Sequence, residues 1–199
     1  MKKKILISTG GSGGHVIPAT TIYDHLKTEY DVVISTDVRG IKYLDSDAYK
    51  FFVVDTPKLK KSILLPFAIL KIFLLTLRSL FLLKKKKIKI LISTGGYMSL
   101  PLCLAAKILN IKIFLLEPNM IIGRANKFFL NFCEKIICYS KNIIGFPNKF
   151  ENKLIISNPL VRKKYYEKNY RKNIDKIFTV IIIGGSQGAQ IFDKIIHKS

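Results

Sequence analysis

Ile5-Leu6-Ile7-Ser8-Thr9-Gly10-Gly11 recurs without a change as Ile90-Leu91-Ile92-Ser93-Thr94-Gly95-Gly96. Each copy is an apolar, β-branched run that stops at paired glycines. Each is followed by a helix-length segment with a proline near its start, Pro18 or Pro101. A third version, Val180-Ile181-Ile182-Ile183-Gly184-Gly185-Ser186-Gln187-Gly188, lies near the end. Runs like these, with no polar alternation, suit strands buried on both faces, as in a parallel sheet covered by helices. Similar runs at 31–35, 51–54, 112–116, 135–139 and 153–157 alternate with helix-length segments. Together with 4–8, 88–93 and 177–183 they predict an α/β fold, a Rossmann-like doubly wound parallel sheet.

A lysine- and tyrosine-rich stretch at 163–176 separates this pattern into a domain of residues 1–160 and a shorter part, 161–199. The shorter part holds one strand, one glycine loop and one helix. A single βα unit cannot bury its own apolar faces. The expectation is therefore the start of a second Rossmann-like domain, completed by more of the same chain, by docking on the first domain, or by another chain.

Lys and Arg number 34 against 13 Asp and Glu, a formal net charge of +21. Such a surface attracts anions of several kinds, phosphorylated substrates and anionic lipid among them. Nucleic acid is not expected, because the aromatics fall at core spacing and no recognition motif is present. A hydrophobic fraction of 49% argues against disorder. Cys103, Cys133 and Cys138 show neither CxxC spacing nor a histidine at ligand spacing, so no structural zinc site or disulfide framework is expected and the thiols suit a reducing cytosol.

A strand that ends in clustered glycines before a helix offers free backbone N–H groups and the positive helix end to an anion. Thr9-Gly10-Gly11-Ser12-Gly13-Gly14-His15 is the richest instance. It lacks the lysine of an ATPase loop, and its nearest dinucleotide frame ends in Val16. Asp37 nonetheless stands where a ribose-binding acid would, which keeps an NAD-dependent oxidoreductase as an alternative. His15, in the opening turn of a helix, is a neutral proton acceptor or a packing residue. Glu117 ends an apolar strand on the edge where open α/β sheets bind ligands. It is a base or hydroxyl ligand, or an acid favouring the next helix with Asn119 as its cap.

Residues 62–83 are almost wholly apolar and run into Lys84–Lys87. Lys71 and Arg78 interrupt the segment seven residues apart, on one helical face, and central charges are costly in a bilayer. The segment also lies between strands of one sheet. It reads as an in-plane helix touching anionic lipid, with a plain crossover helix as the alternative. Phe67, Lys71, Leu74, Arg78 and Phe81 are the expected membrane contacts.

Thr9-Gly10-Gly11-Ser12-Gly13-Gly14-His15-Val16-Ile17-Pro18, Thr94-Gly95-Gly96-Tyr97, Glu117-Pro118-Asn119, Asn158-Pro159-Leu160-Val161-Arg162 and Gly184-Gly185-Ser186-Gln187-Gly188-Ala189 occur in one order along the whole chain. In these stretches the sequence resembles the N-terminal part of the MurG family of peptidoglycan glycosyltransferases. The resemblance implies a GT-B fold and an inverting, metal-independent transfer of N-acetylglucosamine from UDP-N-acetylglucosamine to the C4 hydroxyl of the muramyl sugar of lipid I. It implies an acceptor site at Thr9, Gly10, Gly11, Thr94, Gly95, Gly96 and Tyr97, with His15 and Glu117 catalytic. Ser12, Gly13, Gly14, Asn119, Arg162 and Ser186 match donor-binding positions. The implied location is peripheral, on the cytoplasmic face of the bacterial inner membrane. Pro118 departs from the glutamine usual there. The family is nearly twice this length, so the chain by itself is expected to bind donor poorly. A non-catalytic, membrane-anchoring acceptor subunit of a split glycosyltransferase is the second expectation.

Overall fold

The computed structural model describes residues 2–57, 59, 63–162 and 165. The strand expected at 177–183, the glycine loop at 184–188 with Ser186, and the stretch 163–176 apart from Tyr165 lie outside the described residues. The chain divides into two units, Met1–Val161 and Arg162–Ser199. In the second, the Tyr165 amide donates to the Arg162 carbonyl at 3.0 Å.

The first unit alternates seven strands with helices. The strands are β1 (Lys4–Ser8), β2 (Asp31–Thr36), β3 (Phe51–Val53), β4 (Ile88–Ser93), β5 (Lys112–Glu117), β6 (Lys135–Cys138) and β7 (Leu154–Ile156). The helices are α1 (Gly13–Leu26), α2 (Leu65–Lys85), α3 (Leu100–Ile108) and α4 (Arg124–Phe129). Every strand pairing is parallel, in the order β3-β2-β1-β4-β5-β6-β7. The seven strands expected here all form, with ends within one residue of those read from sequence.

The absence of polar alternation now has its explanation. Ile5 and Ile7 of β1 pack with Val32, Ile34 and Ala19 on one face, while Leu6 packs with Leu91, Leu102 and Ile113 on the other. Both faces are dry, so every position must be apolar. Truncating a fully buried leucine such as Leu91 to alanine costs about 2–5 kcal/mol.

Strand order reverses between β1 and β4, and there the two identical heptads lie side by side. Ile5 pairs with Ile90, Leu6 with Leu91, Ile7 with Ile92 and Ser8 with Ser93. The repeat thus builds the switch point, where open α/β sheets bind ligands. One local expectation shifts. Helix α1 already begins at Gly13, so Gly13 and Gly14 are its first turn and Pro18 is its sixth residue. In α3, Pro101 does sit in the first turn.

Candidate functional site

At the switch point the two loops are bonded to each other. Thr94 donates its amide to the Ser8 carbonyl at 3.0 Å and its hydroxyl to Thr9 Oγ1 at 2.8 Å. The Thr9 amide donates to Ser35 at 2.9 Å. Thr9 and Thr94 are buried, with their amides and hydroxyls spent on the scaffold. The expectation that they contact a ligand gives way to one in which they hold the loops. Gly95 and Gly96 remain at the surface of a cavity, as does Tyr97.

Asp37 explains the shape of the first loop. Its Oδ1 accepts from the amides of Gly11 at 2.7 Å and Gly40 at 3.0 Å, and its Oδ2 accepts twice from Arg39, at 2.9 and 3.0 Å. It is 2% exposed. A Cβ on Gly10, at φ 150°, would stand 2.6 Å from Asp37 Oδ1, so only glycine passes here. A carboxylate committed to this loop and to Arg39 has no surface left for a ribose, which removes the feature on which the oxidoreductase alternative rested. The Gly11 amide is consumed as well, so it supplies shape rather than a free donor. The amides of Gly13 and Gly14, as first-turn amides, have no partner within α1. Arg39 also donates to the Tyr97 hydroxyl and lies over its ring at 5.3 Å. Burial pushes the Tyr97 phenol above its ordinary range while Arg39 pulls it down, and the net rise keeps the phenol protonated at neutral pH.

His15 ties the third residue of α1 to the second loop, with Nδ1 2.7 Å from the Thr94 carbonyl. A carbonyl can only accept, so Nδ1 carries the proton, and in the neutral ring Nε2 is the acceptor. That edge lies near Gly96, in the cavity wall.

Glu117, at the end of β5, is 1% exposed. Its Oε1 accepts from the Asn119 amide at 3.2 Å and from Asn119 Nδ2 at 3.0 Å. Its Oε2 accepts from the Gly123 amide at 2.7 Å and from Asn126 Nδ2 at 3.0 Å. Four donors fill both oxygens. Both oxygens of the expected base are thus engaged within its own loop, and Asn119 is a donor to Glu117 rather than a helix cap. Helix α4 begins only at Arg124, with no side-chain cap. Ser8 Oγ and Asn126 Oδ1 are buried in the same region without partners among the described residues.

The cavity, of about 790 Å³, is lined by His15, Gly95, Gly96, Tyr97, Glu117, Asn119, Gly123 and Arg124 on its polar walls. Leu59, Ile69, Ile72, Leu100, Leu104, Ala125 and Phe128 complete it. Ser12, Gly13 and Gly14 are not among its lining residues. Arg162 belongs to the second unit, and Ser186 lies outside the described residues. Among the described residues no cluster of three or more His, Cys, Asp or Glu could hold a metal ion. Burial pushes the Cys103 and Cys138 thiols up to about 12, which leaves them inert as nucleophiles.

Helix α2 connects β3 to β4 of the same sheet and packs against α3. It is long and apolar enough to cross a membrane by length and composition, yet both its ends return to one sheet. Its buried residues are Ile72, Thr76, Ser79 and Leu83. Phe67, Lys71, Leu74, Arg78 and Phe81, at alternating spacings of four and three, are exposed together with Leu70, Phe73 and Leu77. The hydroxyls face in and the rings face out.

Arg39 and Asn126 carry no expectation from the sequence. Asp37 three residues before Gly40 does have a local signature, that of an Asx-type turn. Asn126 reaches Glu117 only through the packing of α4 on β5, and no short-range pattern signals it.

A family model described as the glycosyltransferase family 28 N-terminal domain matches residues 5–138. A relative from Pelagibacter ubique is 54% identical over 201 residues, covering 100% of this chain and 56% of its own length. It is named UDP-N-acetylglucosamine–N-acetylmuramyl-(pentapeptide) pyrophosphoryl-undecaprenol N-acetylglucosamine transferase. A Rickettsia canadensis relative of the same name is 34% identical, covering 99% of this chain and 56% of its own. The chain therefore spans about half the length of the curated relatives it matches. The crystal structure of Acinetobacter baumannii MurG superposes with a TM-score of 0.74 at 24% identity, covering 96% of this chain and 55% of that one, a likeness of fold.

Proposed function

The chain belongs to glycosyltransferase family 28, and from that premise we propose that residues 1–160 are the acceptor half of an inverting N-acetylglucosaminyltransferase. The reaction moves N-acetylglucosamine from UDP-N-acetylglucosamine to the C4 hydroxyl of the muramyl sugar of lipid I, in peptidoglycan synthesis. The names of the relatives support it. The observation that carries it is the pair of identical strand–glycine loops at the switch point, tied through His15 Nδ1 to Thr94, with His15, Gly95 and Gly96 in the wall of a cavity that α2 also lines.

The acceptor diphosphate lies against the second glycine loop, at Gly95 and Gly96 in the cavity wall, and Arg39 and Tyr97 stand beside it. The muramyl hydroxyl attacks the anomeric carbon as the bond to the UDP oxygen breaks, and its proton passes to His15 Nε2. Glu117 holds the loop that presents Asn119 to the sugar nucleotide. Ser12, Gly13 and Gly14 are the first unit's further donor contacts, and Arg162 and Ser186 match donor-binding positions by their sequence motifs. The outer face of α2 rests on the cytoplasmic leaflet of the inner membrane, with Lys71 and Arg78 at the headgroups.

Transfer to a short-chain lipid I analogue tests the assignment, in a chimera carrying the C-terminal half of the Pelagibacter relative. Turnover is expected, and His15→Ala should lower it by about 10²–10⁴-fold, the usual contribution of a general base. Full turnover in that variant would remove His15 from the chemistry. Acceptor and vesicle binding with no turnover in the chimera would leave an anchoring, acceptor-holding module instead.

A further inference from the structure

The cavity beside the glycine loops has two kinds of wall. His15 and Gly96 form part of a polar one, and Ile69 of α2, Leu104 of α3 and Phe128 of α4 form part of an apolar one. Water against that apolar wall finds no side-chain partner. Ile69 and Phe128 are nevertheless 55% and 53% exposed, so the wall is apolar surface left open rather than closed core. Ile69 also belongs to the helix whose outer face carries Phe67 and Leu70, so the wall continues onto the exposed apolar surface of α2.

We infer that the apolar wall is a subsite for the first isoprene units of the acceptor, read in the same molecule whose diphosphate lies on the second glycine loop. This rests on the acceptor assignment above and adds a chain-reading element to it. One cavity holds both walls, so the occupant is an amphiphile with its anionic group and its hydrocarbon covalently joined. The relatives' names supply an amphiphile of this kind, a pyrophosphoryl-undecaprenol, in which a diphosphate is joined directly to an isoprenoid chain. The isoprene units beyond the first few leave along α2 into the lipid. The enzyme thus discriminates acceptors by the proximal part of the chain, and the membrane holds the remainder.

The test is isothermal titration of the purified chain, without detergent or lipid, using inorganic pyrophosphate, dimethylallyl diphosphate and farnesyl diphosphate below its aggregation concentration. Affinity should rise along that series, with farnesyl diphosphate bound at least roughly tenfold more tightly than pyrophosphate, given the additional methylenes removed from water. In Ile69→Asn and Phe128→Asn the ratio between these two ligands, measured on each variant, should collapse towards one. In Ile156→Asn, an exposed change on the edge strand β7, it should persist. Pyrophosphate binding with no gain from the chain overturns the subsite and leaves the anion site standing. A gain that survives both cavity variants also overturns it, because the chain is then bound elsewhere. If none of the three ligands binds, the diphosphate assignment of the loop fails and the subsite falls with it.

Discussion

The floor beneath the glycine loops and the outer face of α2 break the same packing rule in opposite senses. Under the loops, Asp37 and Glu117 are carboxylates at 2% and 1% exposure; on α2, Phe67 and Phe81 are phenyl rings at 70% and 69%. The buried charges are compensated inside the molecule. Asp37 accepts from two amides and a guanidinium, and Glu117 from two amides and two side-chain amides. The exposed rings have no compensation inside, because the buried stripe of α2 spends two of its four positions on Thr76 and Ser79. A departure balanced internally shapes a site. One left unbalanced points to something outside the chain.

The largest effect should come from breaking the outward half of this contrast. Changing Phe67, Leu74 and Phe81 together to serine removes three apolar side chains, each contributing about 1.5–3 kcal/mol when buried in lipid. Partitioning onto anionic vesicles, followed by flotation, should fall by at least roughly a thousandfold. The urea midpoint should barely move, since exposed substitutions stay within about 0.5 kcal/mol. A large loss of stability with vesicle binding intact would mean that these rings pack against protein instead.

Breaking the inward half should show the reverse signature. Glu117→Ala strands four donors in a buried place, and losing one side of such a network costs about 3–5 kcal/mol. Urea unfolding should report that loss, while flotation of the folded fraction stays as it was. A cost below about 1 kcal/mol would show that water replaces the carboxylate, and Glu117 would then be free for the chemical role that its hydrogen bonds argue against.

The contrast also marks how far the sequence could be read. The seven strands of the first unit follow from their uninterrupted Ile, Leu and Val, because a sheet buried on both faces leaves a period of one. The repeat was legible as two strand–glycine units, but that its copies pair in register at the switch point came only with the strand order. His15 was legible as a residue of the opening helix turn, but its tautomer was not: that depends on Thr94, 79 residues away. Glu117 read equally as base or structural acid, because the answer lies in Gly123 and Asn126, brought in by the turn into α4. Asp37 stood at a ribose-binding spacing by sequence alone, and only its bonds to Gly11 and Arg39 show another use for it. Local patterns carry elements well. They carry poorly the side chains whose role is set by partners from another strand.

The smallest expected effect refines the outward half. Lys71 and Arg78 share the exposed stripe with the rings, so the stripe is apolar with two cations set into it. A helix sunk deep in hydrocarbon would bury those charges at a high cost. One lying in the interface keeps them at the headgroups, where each gains about 1 kcal/mol from an anionic surface. Lys71→Gln with Arg78→Gln should therefore weaken binding to anionic vesicles by roughly thirtyfold and leave binding to zwitterionic vesicles unchanged. The difference should shrink as salt is raised, since the Debye length falls to about 3 Å at 1 M. An equal loss on both kinds of vesicle would mean that the two side chains act through their hydrocarbon stems. In that case the rings alone would set the depth of the helix, and the lysines after α2, at 86 and 87, would be left to sense the charge of the leaflet.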